Sequence, residues 1–151
     1  MGIHVVADNR KAGFSYHLLE KFEAGLVLQG SEVKALREAK VNLGDAYAII
    51  KNGEAWLLNC HISPYAPAAK QNHEPLRTRK LLLHQNELNK IIGALQERGL
   101  TLIPTKIYFK EGRAKIELAL AKGKKLFDKR ESMKRKESRR TISRAMKHKL
   151  R

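Results

Sequence analysis

The sequence predicts a mostly β domain with short α-helices: a small closed antiparallel β-barrel of about six strands and two or three helices, followed by a basic C-terminal tail. Three observations carry this. Two pairs of β-like segments flank the turn dipeptides Asn52-Gly53 and Glu111-Gly112, the pattern of hairpins. A longer segment, Tyr16 to Leu28, alternates apolar and polar residues, as a half-buried strand does. Charge is concentrated at one end. Residues 122–151 hold fourteen Lys or Arg against Asp128, Glu131 and Glu137, a net of +11 out of +16 for the chain.

The elements follow in order. Gly2 to Tyr16 reads as a loose start leading into a short helix. Tyr16 to Leu28 is a long strand with Phe22, Ala24, Leu26 and Leu28 on one face. Gly25 marks a bend or bulge in it, as a small barrel needs. Gly30 ends the strand, and Ser31 is the expected N-cap of a helix from Glu32 to Lys40, with Val33 and Leu36 inward. Ala46 to Lys51 and Glu54 to Asn59 form the first hairpin. His61 to Pro75, with Pro64, Pro67 and Pro75, reads as a loop. Arg77 to Leu83 is a short strand.

The clearest helix is His84 to Arg98. Leu88, Ile91, Ile92 and Leu95 recur at helical spacing, and Gly99 supplies the stop. In the last hairpin Ile103, Thr105, Ile107 and Phe109 share one face of the first strand, and Ile116, Leu118 and Leu120 one face of the second. Strands of this kind must hide their edges, and a Greek-key barrel of the oligonucleotide-binding (OB) type does so. Residues 1–121 are expected to form that barrel domain.

Residues 122–151 have little to bury beyond Leu126, Phe127, Met133, Ile142, Ala145, Met146 and Leu150. Low hydrophobicity with high net charge does not offset the entropy of folding, so the free tail is expected to be disordered. A polyanion reverses the balance by neutralising repulsion and releasing counterions. A small domain with a basic tail reads first as a nucleic-acid-binding protein.

Other classes find little support. The single cysteine, Cys60, excludes an internal disulfide and fits a reducing cytoplasm. Met1 to Arg10 lacks the apolar stretch of a signal peptide, and no run reaches the length of a membrane span. The tail's sparse apolar anchors argue against membrane binding. Cys60, His61, His73 and His84 match no zinc spacing, and Asp8, Glu20, Glu23 and Glu32 are spread too widely for a Mg²⁺ nuclease centre. No cofactor and no catalytic set is expected.

The basic positions say more. Arg77, Arg79 and Lys80 lead into Leu81-Leu82-Leu83. They are either a solvated edge strand or a phosphate-binding ridge beside an apolar patch, and the tail favours the ridge. Phe127 either stacks on a base, a contact worth about 1–3 kcal/mol where it forms, or closes the barrel as the last strand leaves it. Ile142, Ala145 and Met146 share a face only in a helix, ringed by Arg139, Arg140, Arg144 and Lys147. That segment is either a basic helix folding on RNA or an unstructured polycation.

Five strings in order resemble the small protein B (SmpB) family, the partners of transfer-messenger RNA (tmRNA) in bacterial ribosome rescue. They are NRKAGFSYHLLEKFEAGLVLQGSEVKALR from Asn9, NLGDAYA from Asn42, NCHISPY from Asn59, RTRKLLLH from Arg77 and AKGKKLFDKR from Ala121. The resemblance runs from Asn9 to the end. It implies an OB-type barrel that binds the tRNA-like domain of tmRNA in place of a missing anticodon stem. It implies a tail, residues 122–151, that is disordered when free and helical on the ribosome, and that enters the decoding centre and empty messenger channel of a stalled 70S ribosome, against small-subunit rRNA. Elongation factor Tu and alanyl-tRNA synthetase follow as indirect partners, through tmRNA.

The family's RNA contacts fall on Asn9, Glu23 and Leu82, with Arg10 and Lys11 in the first string. Its tail motif falls on Gly123, Lys124, Lys125, Asp128, Lys129 and Arg130, with Phe127 as a stacking group. There are departures. Gly13 stands where the family has Arg, so that phosphate contact is not carried to this chain. Phe127 lacks the hydrogen-bonding group of a His. Ala145-Met146 replaces a larger apolar pair. The expected function is a non-enzymatic RNA-binding adaptor of trans-translation, with a general ribosomal or RNA-chaperone protein as the alternative.

Overall fold

The computed structural model describes residues 2–96 and 99–123. In chain order the strands and helices are β1 (Ile3–Asp8), α1 (Arg10–Ser15), β2 (Tyr16–Leu26), α2 (Gly30–Arg37), β3 (Val41–Asn42), β4 (Tyr47–Lys51), β5 (Glu54–Leu58), β6 (His61–Ile62), a 3₁₀ helix (Ala66–Gln71), β7 (Arg79–Leu82), α3 (Gln85–Leu95), β8 (Leu100–Lys110) and β9 (Arg113–Gly123). The architecture is mostly β, as expected. The expected tail contacts from Lys124 to Met146 lie outside the described residues, and β9 itself runs through Lys122 and Gly123.

Seven strands form one antiparallel sheet in the order β1-β8-β4-β5-β7-β2-β9, and β9 pairs back with β8. The long strand β8 meets β4 where Ala48 faces Leu102, and meets β1 nearer its far end, where Ile3 faces Lys110. Strands β3 and β6 make a separate two-stranded sheet.

Both predicted hairpins form. Asn52 and Gly53 have φ of 54° and 73°, and Glu111 and Gly112 have 52° and 78°. Two successive positive φ values match the right-handed twist of the flanking strands, so Lys51 pairs directly with Glu54 and Lys110 with Arg113. Phe22, Ala24 and Leu26 point inward from β2, and join Leu57, Leu102, Ile107, Ile116 and Leu118 in the core. Helix α3 adds Leu88 and Ile91 to it. Helix α1 seats Ala12 in a second cluster with Ile103 and Ala121.

Several expectations are corrected. The loose start is a strand, β1, whose exposed Ile3 and Val5 disguise it. The bulge of β2 falls between Leu18 and Glu20, not at Gly25. Gly25 instead lies between Leu82 and Lys115 of the two neighbouring strands. The cap of α2 is Gln29, which forms a capping box with Glu32. Ser31 is buried, its hydroxyl within 2.8 Å of His73 Nδ1. The expected loop after His61 holds β6 and the 3₁₀ helix. Ile103 and Ile107 belong to different clusters, because a bulge between Pro104 and Lys106 reverses the parity of β8.

Candidate nucleic-acid interface

Directly opposed residues of paired strands share a face. The register therefore lays out one outward surface row by row. Asp8, Lys106, Glu117 and Glu23 lie opposite one another across β1, β8, β9 and β2. Two residues along β8, Val5, Tyr108, Lys115, Gly25 and Leu82 form the next row, which reaches β7. Ile3 and Lys110 extend the surface beyond it. The parity that turns Ile107 and Phe109 inward turns Lys106, Tyr108 and Lys110 outward. These lysines and the tyrosine were missed as site residues, although that alternation was the available signal.

Glu23 is the fixed point of this surface. Tyr108 donates its hydroxyl to Glu23 Oε2, and Lys110 Nζ stands 3.6 Å from the same oxygen. The Tyr108 hydrogen bond, helped by Lys110 and Lys115 against the effect of burial, holds the Glu23 carboxyl below its ordinary value. Burial and the neighbouring Glu23 push the Tyr108 phenol well upward, so it remains a donor at any physiological pH. Beside Glu23 is an open depression of about 290 Å³, bordered by Gly25, Leu82, Leu83, His84 and Lys115. Leu82 stands at its edge, 53% exposed.

A second depression, about 420 Å³, gathers Asn9, Lys11, Tyr16, Tyr47 and Gly123 among its borders. Asn9 spends its amide on the scaffold: Nδ2 donates to Pro104 O at 2.9 Å and to Leu43 O at 3.3 Å. Its backbone N–H donates to Thr105 O at 2.7 Å. That fixes the entry to α1. Arg10 and Lys11 are exposed on α1, with Lys11 Nζ 3.4 Å from Asp45. The predicted contacts thus divide into two groups, Glu23 with Leu82, and Asn9 with Lys11 and Gly123.

The expected phosphate ridge at Arg77, Arg79 and Lys80 does not form. Arg79 is fully buried. Its Nε donates to Glu32 Oε2, its Nη1 to Cys60 O at 2.7 Å and its Nη2 to Pro75 O at 3.1 Å. Arg77 Nη2 donates to Glu32 Oε1 at 2.6 Å. Both arginines therefore serve a buried carboxylate, since a charge taken from water needs a partner. Burial alone raises a carboxyl's pKa, but the bonds from Arg77, the Gln29 N–H and Arg79 outweigh it and hold Glu32 below its ordinary value. Lys80 remains at the surface, 3.3 Å from Glu54.

Fold and surface together define a small, basic, mostly β domain that turns lysines and anchored carboxylates, Glu23 among them, outward. The chain belongs to the SmpB family, whose "SmpB protein" pattern matches residues 6–148. It is similar to the SsrA-binding protein of Trichodesmium erythraeum, with 56% identity over 97% of this chain and 94% of the relative. The SsrA-binding protein of Pelotomaculum thermopropionicum is 54% identical over 100% of this chain and 99% of its own. A solved structure presented as "tmRNA-SmpB: a journey to the center of the bacterial ribosome" is similar at 47% identity and a TM-score of 0.68, over 80% of this chain and 85% of that one.

Proposed function

We propose that this chain is a tmRNA-binding adaptor of trans-translation. The observation that carries the reading is the near full-length identity to SsrA-binding proteins, joined by the likeness to a tmRNA-SmpB chain. The domain binds the tRNA-like part of tmRNA through Glu23 and Leu82 at one depression and Asn9 and Lys11 at the other, with Arg10 exposed on α1 and Lys80 at the surface of β7. The pairings that run from β8 through β4, β5, β7, β2 and β9 back to β8 support the reading of the domain as a closed barrel of the OB type. Residues beyond Gly123 carry +10 of the chain's net charge of +16. They enter the decoding centre and messenger channel of a stalled 70S ribosome, where Lys124, Lys125, Phe127, Asp128, Lys129 and Arg130 meet small-subunit rRNA. Arg139, Arg140, Arg144 and Met146 continue that contact. Elongation factor Tu and alanyl-tRNA synthetase act on the same complex through tmRNA. The protein works in the cytoplasm and catalyses no reaction.

The test separates domain from tail. Gel shifts compare an isolated tRNA-like fragment with an unstructured RNA of equal length. The expected result is a preference of orders of magnitude for the fragment, retained when the chain is cut after Gly123. Peptide tagging on stalled ribosomes should be lost in the same truncation. Equal affinity for both RNAs would favour the general RNA-chaperone reading. Loss of fragment binding on truncation would place the tail in the primary RNA site.

A further inference from the structure

We propose that Tyr108 is a positioning residue for RNA recognition: its hydroxyl fixes one oxygen of the Glu23 carboxylate, leaving the other to accept from a nucleotide. The accepted groups are N–H or O–H donors, such as a guanine edge or a ribose 2′-hydroxyl. This rests on the reading of Glu23 as an RNA contact.

The geometry begins with the register. Glu23 lies opposite Glu117, and Tyr108 lies opposite Lys115, so β9 separates the two side chains. Neighbouring strands lie about 4.8 Å apart. A tyrosine on β8 therefore reaches a glutamate on β2 only by laying its ring across β9. That explains why Tyr108 is only 4% exposed although it projects from the outer face. The ring is held from above by Lys106, whose ammonium sits 5.7 Å from its centre. A phenol committed in this way has one direction in which to donate, and Glu23 Oε2 receives it.

The division between the two carboxylate oxygens follows. Tyr108 and Lys110 both address Oε2. Among the described residues no donor is placed on Oε1. A glutamate on an open strand face would otherwise rotate freely and lose side-chain entropy on binding. Anchored by one oxygen, it presents the second at a fixed place beside the Leu82 depression. Phosphates are repelled by that oxygen, whereas base and sugar donors are accepted, so the group supplies selection in a field of lysines that attracts any RNA. The charged groups around it are Lys106 and Lys110 on β8, Lys115 and Glu117 on β9, and His84 at the far side of the depression.

A double-mutant cycle tests this, using Tyr108→Phe, Glu23→Gln and the pair, with the isolated tRNA-like fragment as ligand. Tyr108→Phe keeps the ring and its lysine and removes only the hydroxyl. It should weaken binding about tenfold in the wild-type background, as loss of a hydrogen bond to a charged group does, and leave affinity unchanged once residue 23 is Gln. Independently of any ligand, NMR titration of the Glu23 carboxyl should show its midpoint move upward in Tyr108→Phe. Equal weakening in both backgrounds, or an unmoved titration, overturns the positioning role alone. Equal affinities of wild type and Glu23→Gln remove Glu23 from the RNA site and overturn this inference with it. If neither the tRNA-like fragment nor tmRNA itself binds the wild type, the proposed function fails instead, while the titration still decides whether Tyr108 fixes the carboxylate.

Discussion

Arg79 and Glu32 meet entirely out of solvent, the guanidinium Nε donating to Oε2 of the carboxylate with both side chains fully buried. Glu32 sits in the first turn of α2 and closes the capping box by accepting from the Gln29 N–H at 2.8 Å. Arg79 lies on β7 and also holds the carbonyls of Cys60 and Pro75. One ion pair thus ties a helix start, a strand and the segment between β5 and β7. Removing one partner leaves the other charged and unpaired, which costs about 3–5 kcal/mol. Glu32→Gln should lose that much in guanidinium unfolding. Arg79→Lys should not rescue the fold, since a single ammonium does not replace three directed donors.

The same carboxylate sets an acid limit. Its folded pKa lies below the ordinary value of 4.5, so the unfolded chain takes up the proton first. Its contribution is therefore complete above the ordinary value and is lost as pH falls through the folded one. Melting temperatures of the wild type should fall in that acid window. Those of Glu32→Gln should be lower at neutral pH and fall less. Parallel curves for the two proteins would show that Glu32 does not control the acid limb.

Cys60 should behave as a core residue and not as a reactive thiol. It is completely buried, and burial pushes its thiol up to about 11. The thiolate is the reactive form, so an aromatic disulfide reagent at mildly alkaline pH should label the folded protein only as fast as it opens. Added denaturant should make labelling immediate. Rapid labelling without denaturant would contradict the packing of the β5–β6 segment.

How much of this was legible depends on where each element gets its stability. The hairpins at Asn52-Gly53 and Glu111-Gly112 and helix α3 were legible because turn chemistry and periodicity are local. Strand β1 was not, because Ile3 and Val5 face solvent and only pairing to β8 makes it a strand. The site divides in the same way. Glu23 and Leu82 were available from the family strings, and the register brings them together. Arg77 and Arg79 misled, because a run of cations in sequence does not reveal a buried Glu32 contributed from 45 and 47 residues away. Tyr108 was legible as an outward residue from the inward Ile107 and Phe109, but its partner was not, because alternation along β8 does not show that the ring crosses β9 to reach Glu23 on β2.

Gly25 is paired on both sides, with Leu82 and Lys115, and a Cβ placed there would lie 3.2 Å from Leu82 Cβ. That is tight, and Leu82 Cβ moves only with its backbone, so relief takes a shift of a few tenths of an ångström at Leu82, the last residue of β7. The fold should therefore tolerate Gly25→Ala, helped by the entropy that alanine removes from the unfolded chain, about 0.4–1 kcal/mol. The displaced Leu82 and the new methyl group would narrow the depression beside Glu23. The variant should melt within a few degrees of the wild type yet bind the tRNA-like fragment several-fold more weakly. Unchanged affinity with an unchanged melting temperature would show that the RNA does not enter the depression.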